Sequence, residues 1–263
     1  MDSFRPDAYW EERLRAHGDE RGVGDIGLSR SYNSYLYKVR RHVFRRLLRQ
    51  LPLAPGDTSV LDIGSGTGVY VDEWHRWGAR EVAGSDITQI VVDRLSHRFP
   101  ADRFLKLDIG GADLNGLQPK SREVVSAFDV LFHIVDDVRY EQAIQNIASL
   151  IVPGGWFLYS DNLVRKGSRI THYVSREEGT ILETLGRNGF AVRKRVPMFV
   201  LMNDPVRSDG PLLRRWFSLV YRAACRGELA GNLVGRTLYP IELAATKLVK
   251  SGPSTELLLC QRV

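Results

Sequence analysis

The sequence predicts an α/β fold built on a parallel sheet, and three observations carry that reading. Apolar strand patterns alternate with helical patterns through most of the 263 residues. One strand, Val60-Leu61-Asp62-Ile63, breaks into the turn Gly64-Ser65-Gly66-Thr67-Gly68 and then into a helix. The next two strands, Glu81–Asp86 and Arg103–Asp108, each end in an acid.

Taken in order, Val69–Trp77 reads as a short helix after the glycine turn, and Thr88–Arg98 as the next, with Thr88 as its N-cap. Glu123–Phe128 is the fourth strand and Asp137–Ile151 is helical. Pro153-Gly154-Gly155 then turns the chain into a fifth strand, Trp156–Ser160. Ser175 is expected to cap a helix that runs to about Asn188 and stops at Gly189. Phe190–Val196 is the sixth strand and Glu256–Arg262 the last. No internal repeat and no low-complexity tract interrupts the pattern.

Length and a hydrophobic content of 43% suit one large domain with its own core. Two cysteines, Cys225 and Cys260, show neither metal-ligand spacing nor a disulfide framework. A reducing cytoplasm and no bound metal are therefore expected. The stretch Met1–Asp7 lacks the apolar core of a signal peptide, and no apolar run reaches the length of a membrane span.

The turn carries the most chemistry. Glycine tolerates positive φ and lets a backbone come close to a ligand, while the following helix points free N–H groups at the turn. Its spacing is G-x-G-x-G, tighter than the G-x-G-x-x-G of dinucleotide sites. An acid about 20 residues on, such as Asp86, is where nucleoside-binding sheets hold the ribose diol. Read without a ligand, the same residues are a strand-to-helix turn followed by acids that cap the next elements.

Asp62, the G-x-G-x-G turn and the two acidic strand ends resemble the class I methyltransferases that use S-adenosylmethionine (SAM). That resemblance implies a three-layer, Rossmann-like sheet of seven mostly parallel strands over roughly residues 55–200 plus the final strand. It implies a cofactor set of Asp62, Gly64, Ser65, Gly66 and Gly68, with Asp86 and Ile87 at the ribose. Asp108 and Ile109 would lie at the adenine, and Ala127 and Phe128 at the fourth strand end. The segments from Ser126 to Asp137 and from Leu150 to Gly155 are most similar to the small-molecule, ubiquinone-biosynthesis-type branch. Phe132 stands where many relatives of that branch carry Glu, so no role of that Glu, metal ligation included, carries over.

The implied organisation is an N-terminal helical cap over 1–55, a SAM-binding core over 56–200, a helical insertion over 201–255 and a final core strand over 256–263. In the cap, Leu36, Val39, Val43, Phe44, Leu47, Leu48 and Leu51 form an apolar stripe at helical spacing. Lys38, Arg40, Arg41, Arg45, Arg46 and Arg49 share the opposite face, and much of the net charge of +6 lies here. This face reads as a solvated surface, or as a contact for an anionic substrate, an acidic membrane or nucleic acid. Tyr32, Asn33, Tyr35 and Tyr37 lie where relatives fold a flap over the cofactor. Tyr35 and Tyr37 are thus candidate substrate or sulfonium contacts, a cation–π interaction there being worth ~0.5–2 kcal/mol.

Within the insertion, Leu212–Tyr221 and Tyr239–Val249 read as amphipathic helices. They would wall a pocket for an acceptor with an apolar body and a polar or anionic head, lie on a bilayer, or only cover the sheet edge.

Methyl transfer from a sulfonium needs positioning above all, and a base where the nucleophile is an oxygen of high pKa. His133, after the fourth strand, is the first candidate base and His172 the second; His133 could equally orient the cofactor. Asp161 and Asn162 end the fifth strand and could orient a substrate hydroxyl. Neither an Asn/Asp-Pro-Pro-Tyr/Phe run nor a cysteine stands directly after the fourth strand, and no separate RNA-binding motif is present. The expected function is a SAM-dependent methyltransferase, O-directed, acting on a lipid-like, glycan or secondary-metabolite small molecule. A methyltransferase of RNA or protein and a non-catalytic scaffold of the same fold are the alternatives. Nucleic acid is not the expected partner, peripheral contact with the inner face of a membrane stays open, and the number of subunits is not set.

Overall fold

Residue type decides the centre of the sheet. Strand β1 (Ser59–Ile63) is buried along its whole length, and its Val60, Leu61 and Ile63 each contribute about 1.5–3 kcal/mol by leaving water. A computed structural model describes residues 4–263; Met1, Asp2 and Ser3, which open the expected 1–55 segment, lie outside the described residues. Strands β2 (Glu81–Asp86) and β4 (Arg122–Ala127) flank β1 and run parallel to it. Parallel pairs continue outward to β3 (Arg103–Lys106) and β5 (Ile151–Asp161).

Between β5 and the next sheet strand lies a small antiparallel hairpin, β6 (Ser168–Ile170) and β7 (Tyr173–Ser175). The main sheet is completed by β8 (Phe190–Pro197) and β9 (Glu256–Arg262). Among the described residues its seven strands run β3-β2-β1-β4-β5-β9-β8. The order reverses between β1 and β4, and in such sheets the crevice outside the carboxyl ends at the reversal takes the ligand.

The chain divides into two compact units. The first holds the chain up to Arg15, Pro52–Lys194 and Leu258–Val263. It carries α1 (Pro6–Ala16), α4 (Val69–Trp77), α5 (Gln89–Arg98), α6 (Asp137–Leu150) and α7 (Glu178–Arg187). Its core joins Leu61 and Ile63 to Val125, Ala127, Ile144, Ile147, Phe157 and Tyr159.

The second unit holds Ala16–Leu51 and Arg195–Leu257. Its helices are α2 (Glu20–Val23), α3 (Arg30–Leu48), α8 (Pro211–Ala224) and α9 (Glu228–Leu248). The apolar stripe of α3 is buried, from Leu36 and Val39 to Leu47 and Leu48. Close approach of α3 and α9 rests on glycine: a Cβ on Gly235 would stand 2.3 Å from Cδ2 of Tyr35, and one on Gly231 1.8 Å from Oγ of Ser29. Glu242, buried in α9, accepts from the Val200 and Leu201 amides at 2.6 and 2.8 Å.

Several elements depart from the pattern reading. Helix α1 had no counterpart in it. Strand β5 begins at Ile151, because Pro153-Gly154-Gly155 is absorbed as an irregular stretch where the β4–β5 register shifts, with Gly154 at φ +80°. Ser175 belongs to β7, and α7 starts after Glu177 instead. The helix expected from Tyr239 begins at Glu228 and runs through Pro240. Replacing Gly235 by Ala should force Tyr35 aside and lower stability by about 1–3 kcal/mol in urea unfolding; an unchanged midpoint would mean the helices have room to spare.

Candidate active site

The turn after β1 is held in a conformation that only glycine adopts easily. Gly64, Gly66 and Gly68 lie at φ +68°, +51° and +75°. At Gly64 a side chain is also excluded by space, since its Cβ would fall 2.3 Å from Val130 Cγ2. The Ser65 amide donates to the Ser85 carbonyl at 2.9 Å and the Ser65 hydroxyl to the Asp62 carbonyl at 2.9 Å. Arg98 braces the far side by donating to the Thr67 carbonyl at 2.9 Å and pairing with Asp72.

Asp86 ties the turn to β2. Its carboxylate accepts from the Gly66 amide at 3.1 Å, the Thr88 amide at 3.0 Å and the Thr88 hydroxyl at 2.8 Å. That bond takes up the Thr88 hydroxyl, which therefore does not cap α5. Burial raises the Asp86 pKa, against the pull of these donors. A carboxylate has about four acceptor positions, so three bonds leave capacity for one more. Ile87 follows, half-buried.

Asp62 is buried beneath the turn, accepting from Ser126 Oγ at 2.6 Å, while Trp74 Nε1 donates to the same Ser126 oxygen at 3.0 Å. Burial pushes its pKa up to about 7, opposed by the Ser126 and Ser65 hydroxyls. Asp108 lies in the turn beyond β3, accepts from the Gly110 amide at 3.1 Å and pairs with Arg139. Ile109 beside it is buried, its carbonyl accepting from Asn146 at 2.7 Å. Ala127 and Phe128 close β4, both buried, and the Phe128 ring stacks on Tyr70 at the start of α4, centroids 4.0 Å apart. Asp129 follows at φ +59°, rare for a residue other than glycine. It is fixed there by Ser160, whose Oγ accepts from the Asp129 amide at 2.7 Å and donates to its carboxylate at 2.8 Å.

The two candidate bases come together. Nδ1 of His133 lies 2.8 Å from the backbone carbonyl of His172, and the rings stack with centroids 6.1 Å apart. A carbonyl can only accept, so Nδ1 carries the proton and Nε2 presents its lone pair. Burial lowers the His133 pKa to about 4, partly offset by the His172 carbonyl and the Asp129 charge. Burial also lowers that of His172, with Arg13 adding to the effect. Helix α1 covers both: Trp10 meets His133 edge-on at 4.8 Å and Tyr9 stacks on His172 at 5.2 Å. One residue on, Glu11 accepts from the Gln89 amide at 3.0 Å at the start of α5, and Arg94 donates to the Leu14 carbonyl at 2.9 Å.

Asp161 and Asn162, both buried, turn inward at the end of β5. Asp161 accepts from the Asn162 amide at 2.7 Å, and burial pushes its pKa up to about 7. The Asn162 side-chain amide is bonded to the Tyr173 hydroxyl. Tyr35 and Tyr37 belong to the second unit. There Tyr35 donates to Asn232 at 3.3 Å, with Lys38 over its ring, and Arg40 lies over the ring of Tyr37. Tyr9, Trp10, Glu11 and Asp129 were not anticipated. The Pro6-Asp7 start of α1 is a readable helix signal, but nothing local says what its aromatic residues cover. No cluster of metal-ligating side chains occurs among the described residues.

A mostly parallel sheet with its reversal at β1 and β4, a G-x-G-x-G turn there, Asp86 closing β2 and Asp108 in the turn just beyond β3, short of the strand-end position expected for it, define a class I, SAM-dependent methyltransferase. A family model of the methyltransferase domain matches residues 35–191, and the chain belongs to that family. Magnesium protoporphyrin IX methyltransferase from Synechocystis PCC 6803, solved with bound SAM, superposes with a TM-score of 0.59 at 16% identity, over 100% of each chain. A Haloferax volcanii protein solved with the Trm112 methyltransferase activator does so at 0.58 and 17% identity, over 100% of this chain and 99% of that one. The [4+2]-cyclase SpnF matches at 0.54 and 16%, over 83% of this chain and 79% of that one. Such identities show a shared fold. No curated protein matches the sequence.

SAM is the cofactor of this family, and the turn suits it: backbone without side chains at three positions, beside a buried carboxylate with acceptor capacity left. Gly64→Ala should cost about 1–3 kcal/mol through the forced φ alone, read as a lower unfolding midpoint; Val130→Ala in the same chain would relieve the clash but not the φ. Full stability in Gly64→Ala would show that the turn is not strained as described. Because burial holds His133 near a pKa of about 4, its ring stays neutral as pH falls from 8 to about 5. The NMR shift of its Cε1 proton should be flat across that range; a midpoint near the ordinary histidine value of about 6.5 would contradict the burial.

Proposed function

We propose that this methyltransferase methylates a hydroxyl of a small molecule with an apolar body and a polar or anionic head. It falls, on this reading, in the small-molecule branch that includes the ubiquinone-biosynthesis enzymes. SAM would be held by Asp62, Gly64, Ser65, Gly66 and Gly68 at the turn, by Asp86 and Ile87, by Asp108 and Ile109, and by Ala127 and Phe128. When bound it supplies a methyl group activated by a positive sulfur.

The observation that carries the acceptor reading is the setting of His133. Its Nε2 is left as an acceptor in a surround of Trp10, Phe132, His172 and Tyr173 rings. Aromatic walls favour an apolar acceptor, and a neutral imidazole accepts a hydrogen bond from its hydroxyl. The low proton affinity of the buried ring makes His133 a late base. The hydroxyl proton passes to Nε2 only as the oxygen commits its electrons to the new bond, and the imidazolium formed keeps Nδ1–H on the His172 carbonyl. Asp129 favours that charged form. Asp161 and Asn162 would orient the acceptor hydroxyl from the end of β5, where Asn162 also holds the Tyr173 hydroxyl. Tyr35 and Tyr37 are further candidate acceptor contacts.

The second reading, an RNA or protein acceptor, rests on the exposed Lys38, Arg45 and Arg49 of α3 and predicts binding that weakens steeply with salt; Arg41 and Arg46, expected on the same face, are half-buried, Arg41 beside Glu20 and Arg46 on the Thr246 carbonyl. Peripheral contact with a membrane surface accompanies the lipid-like form of the first. Among the described residues no helix is long and apolar enough to cross a membrane.

His133→Ala should lower turnover of a phenolic or lipid-like hydroxyl acceptor by about 10²–10⁴-fold, with SAM affinity unchanged by calorimetry. Turnover within twofold of wild type would remove His133 as the base. Loss of SAM affinity would make it an orienting residue.

A further inference from the structure

Helices α8 and α9 form a hairpin through Cys225-Arg226-Gly227 and pack on each other within the second unit. A helix on a globular surface turns its apolar side inward and its charges outward. These two do not. On α8, Leu212 and Leu219 stand open at 79% and 57%, while Trp216 between them is 37% exposed and donates its Nε1–H to the Leu201 carbonyl at 3.0 Å. On α9, Leu229 and Leu233 near the start and Leu248 at the end are open to solvent, at 89%, 67% and 82%. Scattered exposed leucines are ordinary, but a set of this kind on adjacent helices marks a surface that meets something.

The charge around them says what. Between Pro211 and Lys250 there are seven arginines and lysines, namely Arg214, Arg215, Arg222, Arg226, Arg236, Lys247 and Lys250, against two acids. All seven basic residues are exposed. Both acids are taken up elsewhere: Glu242 is buried on the Val200 and Leu201 amides, and Glu228 accepts from the Arg30 and Ser31 amides at 2.9 and 2.8 Å. The outward surface of the hairpin therefore offers apolar side chains among cations, with no acid of its own left unengaged; Asp209, just before α8, offsets Arg214 at 3.7 Å. Two such surfaces placed face to face would set like charges against each other, which disfavours a second copy of the chain as the occupant.

We infer that the α8–α9 hairpin is an interfacial element that docks the protein on an anionic lipid bilayer, with the exposed leucines in the acyl boundary and the arginines and lysines at the phosphates. Basic residues beside an anionic surface each strengthen partitioning about fivefold, and inserted apolar side chains supply the rest. This deepens the membrane-contact part of the functional reading above and leaves the chemistry untouched, so vesicle binding can fail while SAM binding and turnover stand.

The test is sedimentation of the full chain with sucrose-loaded vesicles of equimolar phosphatidylglycerol and phosphatidylcholine, beside vesicles of phosphatidylcholine alone. The inference expects binding to the mixed vesicles, at least about tenfold weaker binding to the neutral ones, and loss of binding with added salt. Leu229→Ser with Leu233→Ser should weaken it about tenfold or more. Arg215→Gln with Arg222→Gln should weaken it for mixed vesicles alone. All four side chains are exposed, and unchanged thermal unfolding and SAM affinity would show that the variants fold. Absence of wild-type binding to mixed vesicles would overturn the inference, as would equal binding by the leucine variant. A wild-type dimer in light scattering that the leucine variant turns into a monomer would also overturn it, since a second copy would then cover the face.

Discussion

The turn between β1 and α4 is the constraint on which the rest of the first unit depends. Three glycines at positive φ bend the chain sharply enough to bring backbone amides to the carboxyl edge of the sheet. Such a bend is held by its surroundings rather than by itself. Asp86 grips the Gly66 amide from β2, Ser65 bonds back to Ser85 and Asp62, and Val130 fills the space that a side chain at 64 would need. Apart from Asp62, which lies in β1 itself, each of these supports comes from a strand next to β1 or from the loop after one. The reversal in strand order thus does two things: it opens the crevice, and it supplies the residues that hold the turn at its mouth.

The histidine side of the site is assembled from more distant pieces. His133 follows β4, the His172 carbonyl comes from the β6–β7 turn, and Trp10 and Tyr9 arrive from the first described helix. The same α1 reaches the start of α5 through Glu11, so one helix touches both α5 and the histidine end of the first unit. Covering His133 has an electrostatic consequence. Burial keeps the ring neutral, and the backbone carbonyl, by fixing the proton on Nδ1, settles which nitrogen stays basic.

What could be read in the sequence was what local chemistry dictates. The G-x-G-x-G turn, the acid closing β2 and the seven strands with their order of helices follow from glycine freedom and from apolar periodicity, both short-range properties. The His133–His172 pairing was not legible, because it depends on a hairpin whose residues carry no strong alternation and pair only through a tight turn. The aromatic cover from α1 was hidden for a related reason: Trp10 and His133 are far apart in the chain, and no local pattern records such a contact. Ser175 illustrates the opposite error. Its residue type suits a helix cap, but β7 claims it and the hydroxyl bonds to Tyr173.

The central claim is that the braced turn is a SAM cradle, and calorimetric titration of the purified chain with SAM tests it most directly, after any co-purified nucleoside is removed and with NADH as the comparison ligand. The account predicts saturable one-site binding of SAM in the micromolar range and no heat from NADH. Absence of binding by SAM, or NADH binding as tight, would contradict it.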